Sequence, residues 1–256
     1  MRTPVLPLTG ERTAPGVWHE NYWFRRHEVV YAACREWVTE QPSMILDAGC
    51  GEGYGTACLA QHWSGTHAVG IDYDPHATAH ASAVHGGGHT AYVRAGLTSI
   101  PLSTNAFDLV VSLQTIEHIW SPTDYVRELL RVCRPAATVI LSTPNRLTFS
   151  PGLGRRAKPD NVFHSREYDA AELVGDVGRW APGLAVESVL GLRHGPRLAA
   201  WEASHGPITR AQLSAPPEEW PKPLAEMVAS VTVGDFTLSP EALDESLDVV
   251  LVAQAR

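Results

Sequence analysis

The stretch Ile45-Leu-Asp-Ala-Gly-Cys-Gly-Glu-Gly-Tyr-Gly55 runs from a short apolar segment into a loop with glycine at 49, 51, 53 and 55. Glycine at alternate positions lets the chain turn sharply and lets a ligand approach the main chain with no Cβ in the way. Loops are often glycine-rich, so the run gains its meaning from the next apolar segment, His67-Ala-Val-Gly-Ile-Asp72. Asp72 closes that segment, 25 residues after Asp47. A carboxylate at the tip of a second strand can accept hydrogen bonds from both hydroxyls of a ribose. A dinucleotide site would favour GxGxxG feeding a helix aimed at a pyrophosphate, whereas the spacing here is Gly49-x-Gly51-x-Gly53. Together these features predict a nucleoside ligand.

Outward from that loop, short apolar runs at 44–46, 67–71, 90–93, 107–113 and 137–141 alternate with helical spacing near 55–63, 76–84 and 123–133. Strands apolar on both faces are covered on both sides, which implies parallel pairing with crossover helices. A further helix is expected over 168–180, with Ser165 as the capping group ahead of it, and two more strands at 184–190 and 247–253. Before the first strand, Phe24, Val29, Val30, Ala33, Cys34 and Trp37 recur at helical intervals over 22–38. The expected fold is α/β: a Rossmann-like, doubly wound, mostly parallel seven-stranded sheet with an N-terminal helix and lid insertions. Residues 1-42 read as a loose arm and cover helix, and 43-256 as one domain. Insertions at about 145-165 and 193-245 gather on the acceptor side.

The chain has 256 residues, a formal net charge of -8, 44% hydrophobic and 19% charged residues, which excludes disordered and fibrous classes. The acidic balance argues against nucleic acid as a partner. No apolar run reaches membrane-spanning length and residues 1–15 lack the order of a signal peptide, so a soluble cytoplasmic protein with no membrane partner is expected. Cys34, Cys50, Cys58 and Cys133 show no metal-ligand spacing and read as small interior residues. Lys158 and Lys222 are the only lysines, which disfavours Schiff-base chemistry. The eight tryptophans are either half-buried anchors or the walls of a site for a flat ligand or a sugar face. Oligomeric state is not legible.

The glycine run, the segment Phe107-Asp-Leu-Val-Val-Ser-Leu-Gln-Thr-Ile-Glu-His118 and the segment Leu141-Ser-Thr-Pro-Asn-Arg146 together resemble the motifs of class I S-adenosylmethionine-dependent methyltransferases over residues 44–144. The resemblance implies S-adenosylmethionine as cofactor. It places Asp47, Gly49 and Gly51 at its methionine part, Asp72 at the ribose with Tyr73 beside it, and Gln114 next to the sulfonium. Gly96 and Leu97 would border the adenine. The family often has an aspartate where Gly96 stands, so the adenine falls to backbone groups or another side chain.

Methyl transfer to an alcohol needs alignment and removal of a proton. Glu117-His118 follows the fourth strand, where His118 either acts as the base, oriented by a carboxylate, or packs on the following helix. In the ubiquinone-biosynthesis O-methyltransferases a similar Glu-x-x-Glu-His run resembles a divalent-metal site. Gln114 replaces the first acid here, which takes one hard ligand from such a site; a divalent metal stays an open alternative and no metal ligands are assigned. His164 is the second candidate, as base or substrate contact. His19, Arg25 and Arg26 either close over the cofactor carboxylate or belong to a solvated helical turn.

Further segments resemble an actinobacterial subgroup: Trp23-Phe-Arg-Arg-His-Glu-Val-Val-Tyr31, Phe163-His-Ser-Arg-Glu167, His194-Gly-Pro-Arg-Leu198 and Asp244-Glu-Ser-Leu-Asp248. That subgroup comprises the methyltransferases associated with mycobacterial methylglucose lipopolysaccharides. The resemblance implies O-methylation of a glucan, at the 6-hydroxyl of glucose, with Trp23, Trp120 and Trp201 lining the acceptor groove. A mycofactocin-type glycan, a small natural product, or a nucleotide-binding module without catalysis are the alternatives.

Overall fold

The computed structural model describes residues 13–256. Residues 1–12 of the expected arm, including most of the segment tested for a signal peptide, lie outside the described residues. Eight strands form one sheet: β1 (Met44–Ala48), β2 (His67–Asp72), β3 (Thr90–Arg94), β4 (Phe107–Leu113), β5 (Cys133–Pro144), β6 (Leu184–His194), β7 (Phe236–Ser239) and β8 (Asp248–Ala255). Their order is β3-β2-β1-β4-β5-β8-β6-β7. The pairs from β3 through β5 are parallel. β8 runs antiparallel between β5 and β6.

The expected seven strands become eight. The addition is β7, a four-residue strand that pairs antiparallel with Gly191–His194 at the end of β6. So short a run is marginal alone, and its pairing partner defines it.

Crossover helices cover the sheet: α2 (Tyr54–His62), α3 (Pro75–His85), α4 (Pro122–Val132) and, after the short α5 (Arg146–Phe149), α6 (Ala170–Trp180). Successive side chains of a strand point to opposite faces, and the core divides accordingly. Leu46, Val110, Val139, Leu141 and Leu251 pack with α4 and α6. Ile45, Leu109, Val111, Ile140 and Val250 pack with α2 and with α1 (Asn21–Trp37). Each fully buried aliphatic side chain contributes about 1.5–3 kcal/mol.

A third apolar cluster lies at the cover. Tyr22 and Val29 of α1 meet Leu198 of α7 (Pro196–His205), Ile208 of α8 (Ile208–Leu213), and Leu224 and Val228 of α9 (Lys222–Ser230). The late insertion is thus mostly helical and docks on the N-terminal helix. Arg26 is buried there, its Nη2 and Nε donating to Asp248 at 2.5 and 3.1 Å. Arg25 pairs with Glu28 at 2.5 Å. Arg26 is therefore a structural ion pair and does not reach toward a cofactor.

The loop after β5 is tied down by ion pairs to α6: Arg146 to Glu172 at 3.0 Å and to Asp169. Asp169 and Glu172 also form a reciprocal cap at the start of α6. The cap expected at Ser165 is corrected: its hydroxyl donates to the carbonyls of Glu117 and Ile119 at 3.0 and 2.7 Å. All four cysteines are free, three of them buried. No helix among the described residues is long and apolar enough to cross a membrane.

Candidate active site

The ends of β1, β2 and β4 bring the sequence motifs to one edge. Gly49, Gly51 and Gly53 have φ of +91°, +53° and +94°, the left-handed region that glycine adopts without cost. The amides of Gly49 and Cys50 both donate to Ile71 O, at 2.8 and 2.9 Å, folding the loop back over the end of β2. A Cβ on Gly49 would land on the Thr115 side chain. Glycine is required there by backbone conformation and by space.

Asp72 pins this turn. Its carboxylate accepts from the amide of Gly51 at 3.0 Å and from that of Asp74 at 2.9 Å. Beside it, Tyr73 is 77% exposed, a flat ring at the rim. Asp47 is fully buried, accepting from Tyr31 Oη at 3.1 Å and Thr56 Oγ1 at 2.6 Å. Burial pushes its carboxyl up to about 6, and the two hydrogen bonds hold it down from rising further. Gly96 is exposed with open space around it, whereas the Leu97 side chain is buried in the main core. Of that pair, Gly96 faces outward.

Gln114 ends β4 in a left-handed conformation, φ +50°, uncommon for a residue with a side chain. Its amide donates to Ser142 O at 2.9 Å and its Nε2 to Ser142 Oγ at 3.1 Å, so β5 holds the turn. The turn delivers Glu117 and His118. The loop from β5 returns at the same place, because the amides of Ser165 and Arg166 donate to Glu117 O at 2.6 and 3.2 Å. His164 is thereby brought against His118, ring centroids 5.0 Å apart.

Glu117 is 1% and His164 6% exposed, while His118 is half-buried. Thr143 Oγ1 donates to Glu117 Oε2 at 2.9 Å. Burial pushes Glu117 up to about 7, against the pull of His164. His118 Nδ1 lies 3.0 Å from Phe163 O, and its Nε2 3.9 Å from Glu117 Oε1. His164 Nδ1 lies 2.9 Å from Glu167 Oε1. The sequence does not single out Thr143 or Glu167; the one local signal for Glu167 is its place three residues after His164, in a non-helical stretch.

The three tryptophans expected at the acceptor separate. Trp120, two residues beyond His118, is 88% exposed. Trp23 is half-buried in the cover, with the Arg26 guanidinium 4.9 Å from its ring centre. Trp201 stacks on His205 at 4.4 Å. Both pack against the third cluster.

A parallel sheet with a glycine turn after β1, a carboxylate ending β2 and an acid–histidine pair after β4 defines a class I methyltransferase. A family model described as a methyltransferase domain matches residues 46–141. A Mycolicibacterium smegmatis protein named "Probable S-adenosylmethionine-dependent methyltransferase" is 43% identical over 97% of this chain and 95% of its own length. A Mycobacterium tuberculosis protein of the same description is 41% identical, over 97% of this chain and 89% of its own. The chain belongs to the S-adenosylmethionine-dependent methyltransferases. Among solved structures, a methyltransferase from Thermotoga maritima superposes with a TM-score of 0.63 at 13% identity, over 94% of this chain and 92% of that one. One from Mesorhizobium loti gives 0.58 at 18%, over 88% and 97%. At such identities the likeness establishes the shared fold.

The site fits this cofactor. The turn at 49–53 exposes main chain without side chains, Asp72 stands at its rim, and the space beside Gly96 is open.

Proposed function

We propose that this protein is an O-methyltransferase acting on a sugar hydroxyl, with the 6-hydroxyl of glucose in an intracellular methylglucose polysaccharide as its specific acceptor. When bound, S-adenosylmethionine supplies a methyl carbon attached to a positively charged sulfur. Asp72 would accept from the ribose hydroxyls, and the glycine turn would line the methionine part. His118, its Nδ1 held at the Phe163 carbonyl, takes the acceptor hydroxyl proton through Nε2. The cofactor would supply its methyl carbon to the hydroxyl oxygen, its sulfur leaving with the electron pair of the broken carbon–sulfur bond. Glu117, whose Oε1 lies 3.9 Å from His118 Nε2, supports the positive charge that His118 gains, and His164 packs edge-on against its ring.

The observation that carries the sugar reading is Trp120, an exposed indole two residues beyond His118. Aromatic faces suit the apolar faces of a pyranose. The net charge of -8 is also compatible with a neutral acceptor. Incubation with methyl-labelled cofactor and a panel of glucose oligosaccharides, methylated glucosides and simple phenols tests the reading. Label on a glucose O6, located by NMR, is the expected result. Label entering only the phenols, or no glucan, overturns it.

A further inference from the structure

We propose that Glu117, His118 and His164 form a binding site for one divalent first-row transition-metal ion. One ligand atom from each of the three lies within 4.8 Å of the others. An ion bonded at about 2.0–2.2 Å to each donor would draw the three to within about 4.4 Å of one another; His118 Nε2 and Glu117 Oε1, 3.9 Å apart, already meet that limit. The sequence offered only Glu117-His118 locally, with the amide of Gln114 in place of a further acid. The fold supplies the third donor, His164, from the end of the loop that follows β5.

The surroundings of the three donors carry the argument further. A metal-binding histidine characteristically has its other ring nitrogen fixed by a carboxylate or carbonyl, which sets the tautomer and aims the ligating nitrogen. Both histidines have that arrangement: His164 Nδ1 is at Glu167 Oε1, 2.9 Å, and His118 Nδ1 is at Phe163 O, 3.0 Å. Each ring then presents Nε2 as its ligating nitrogen. Glu117 is oriented too, since Thr143 Oγ1 occupies its Oε2 and turns Oε1 toward His118 Nε2 at 3.9 Å. A carboxylate only 1% exposed is costly to keep ionised without cationic compensation, and a divalent ion provides it. Two imidazoles and one carboxylate favour zinc, cobalt or manganese over magnesium, which prefers an all-oxygen shell.

Three protein donors leave coordination positions for the acceptor hydroxyl on the half-exposed His118 side. With the ion bound, His118 Nε2 would be a ligand and no longer the base; the ion would lower the hydroxyl's affinity for its proton in its place, and the proton would leave to solvent. This last point rests on the proposed methyl transfer; binding of the ion does not.

The test uses the full chain, stripped with chelator and titrated calorimetrically with Zn2+, Co2+ and Mg2+, with Co2+ absorption as a second readout. One Zn2+ or Co2+ per chain is expected, with Mg2+ at least about tenfold weaker. His164→Ala and Glu117→Gln should each weaken Zn2+ by roughly 100-fold or more, and Glu167→Gln by about 10–100-fold. Cofactor affinity, measured alongside, should be unchanged in each variant. If His164→Ala does not fold, His118→Ala, at a half-exposed position, carries the same expectation. Wild-type protein without stoichiometric Zn2+, variants binding Zn2+ like wild type, or Mg2+ as tight as Zn2+ would overturn the proposal. Failure to bind S-adenosylmethionine would instead overturn the methyltransferase mechanism, with the ion titration decided on its own result.

Discussion

The two halves of the cleft are held together by different means. The cofactor side is made of main chain: left-handed glycines, amides folded onto Ile71 O, and a carboxylate pinning Gly51. The proposed acceptor side is made of side chains from distant positions: Arg26 with Asp248, Arg146 with Asp169 and Glu172, Glu117 with Thr143, and His118 beside His164. A backbone-built site fixes a ligand shared by many enzymes. A side-chain-built site can change with the acceptor while the sheet stays the same. The two halves should therefore respond separately to substitution.

The largest effect is expected where the cover is anchored. Arg26→Met leaves Asp248 buried without its partner, and loss of about 3–5 kcal/mol of stability is expected in chemical denaturation. If the halves are separate, the folded fraction keeps its cofactor affinity; a parallel loss of affinity would join them. On the other side, Asp72→Ala removes the proposed ribose acceptor and the pin on Gly51. Charge-assisted hydrogen bonds are worth about 1.5–3 kcal/mol each, so affinity for S-adenosylmethionine should fall by roughly 100-fold or more in calorimetry. Retained affinity would remove Asp72 from the cofactor site.

Gly49→Ala should cost about 1–3 kcal/mol, through backbone strain and collision with Thr115. Adding Thr115→Ala should recover part of that loss in thermal melts, leaving the contribution of the left-handed φ. Full recovery would mean that space alone requires the glycine.

The smallest expected effect is one of pH. Asp47 holds its proton up to about pH 6, from an ordinary value of 3.8. The folded state therefore binds this proton more tightly than the unfolded chain, and the associated stability is present below about pH 4 and lost as pH rises through 6. The difference in melting temperature between wild type and Asp47→Asn should shift against wild type across that window and level off above it. A flat difference would show that burial does not perturb this carboxyl.

The same contrast explains how much of the site the sequence revealed. Asp47, the glycines and Asp72 could be singled out because each lies at or just beyond the end of an apolar strand; the side-chain partners of Asp47, Tyr31 and Thr56, could not. His164 and Glu117 could be named as chemistry-bearing residues. Their meeting depends on Ser165 bonding to Glu117 O, a contact across 48 positions that local spacing does not encode. Ser165 looked like a helix cap for the same reason, although Asp169 and Glu172 cap α6. β7 was hidden because four residues gain strand character only from β6 beside them. Trp23 and Trp201 read either as packing anchors or as ligand walls, and both are half-buried against the third cluster, which the anchor reading describes.

The central claim is that methyl transfer is run by the acid–histidine cluster while the cofactor is held elsewhere. Its most direct test is the single-turnover rate of the His118→Ala/His164→Ala double variant, saturated with S-adenosylmethionine, on the oligosaccharide that accepts label. General acid–base catalysis contributes about 10²–10⁴-fold, so the account predicts a rate at least roughly 100-fold below wild type, with cofactor affinity unchanged. A rate equal to wild type would contradict it.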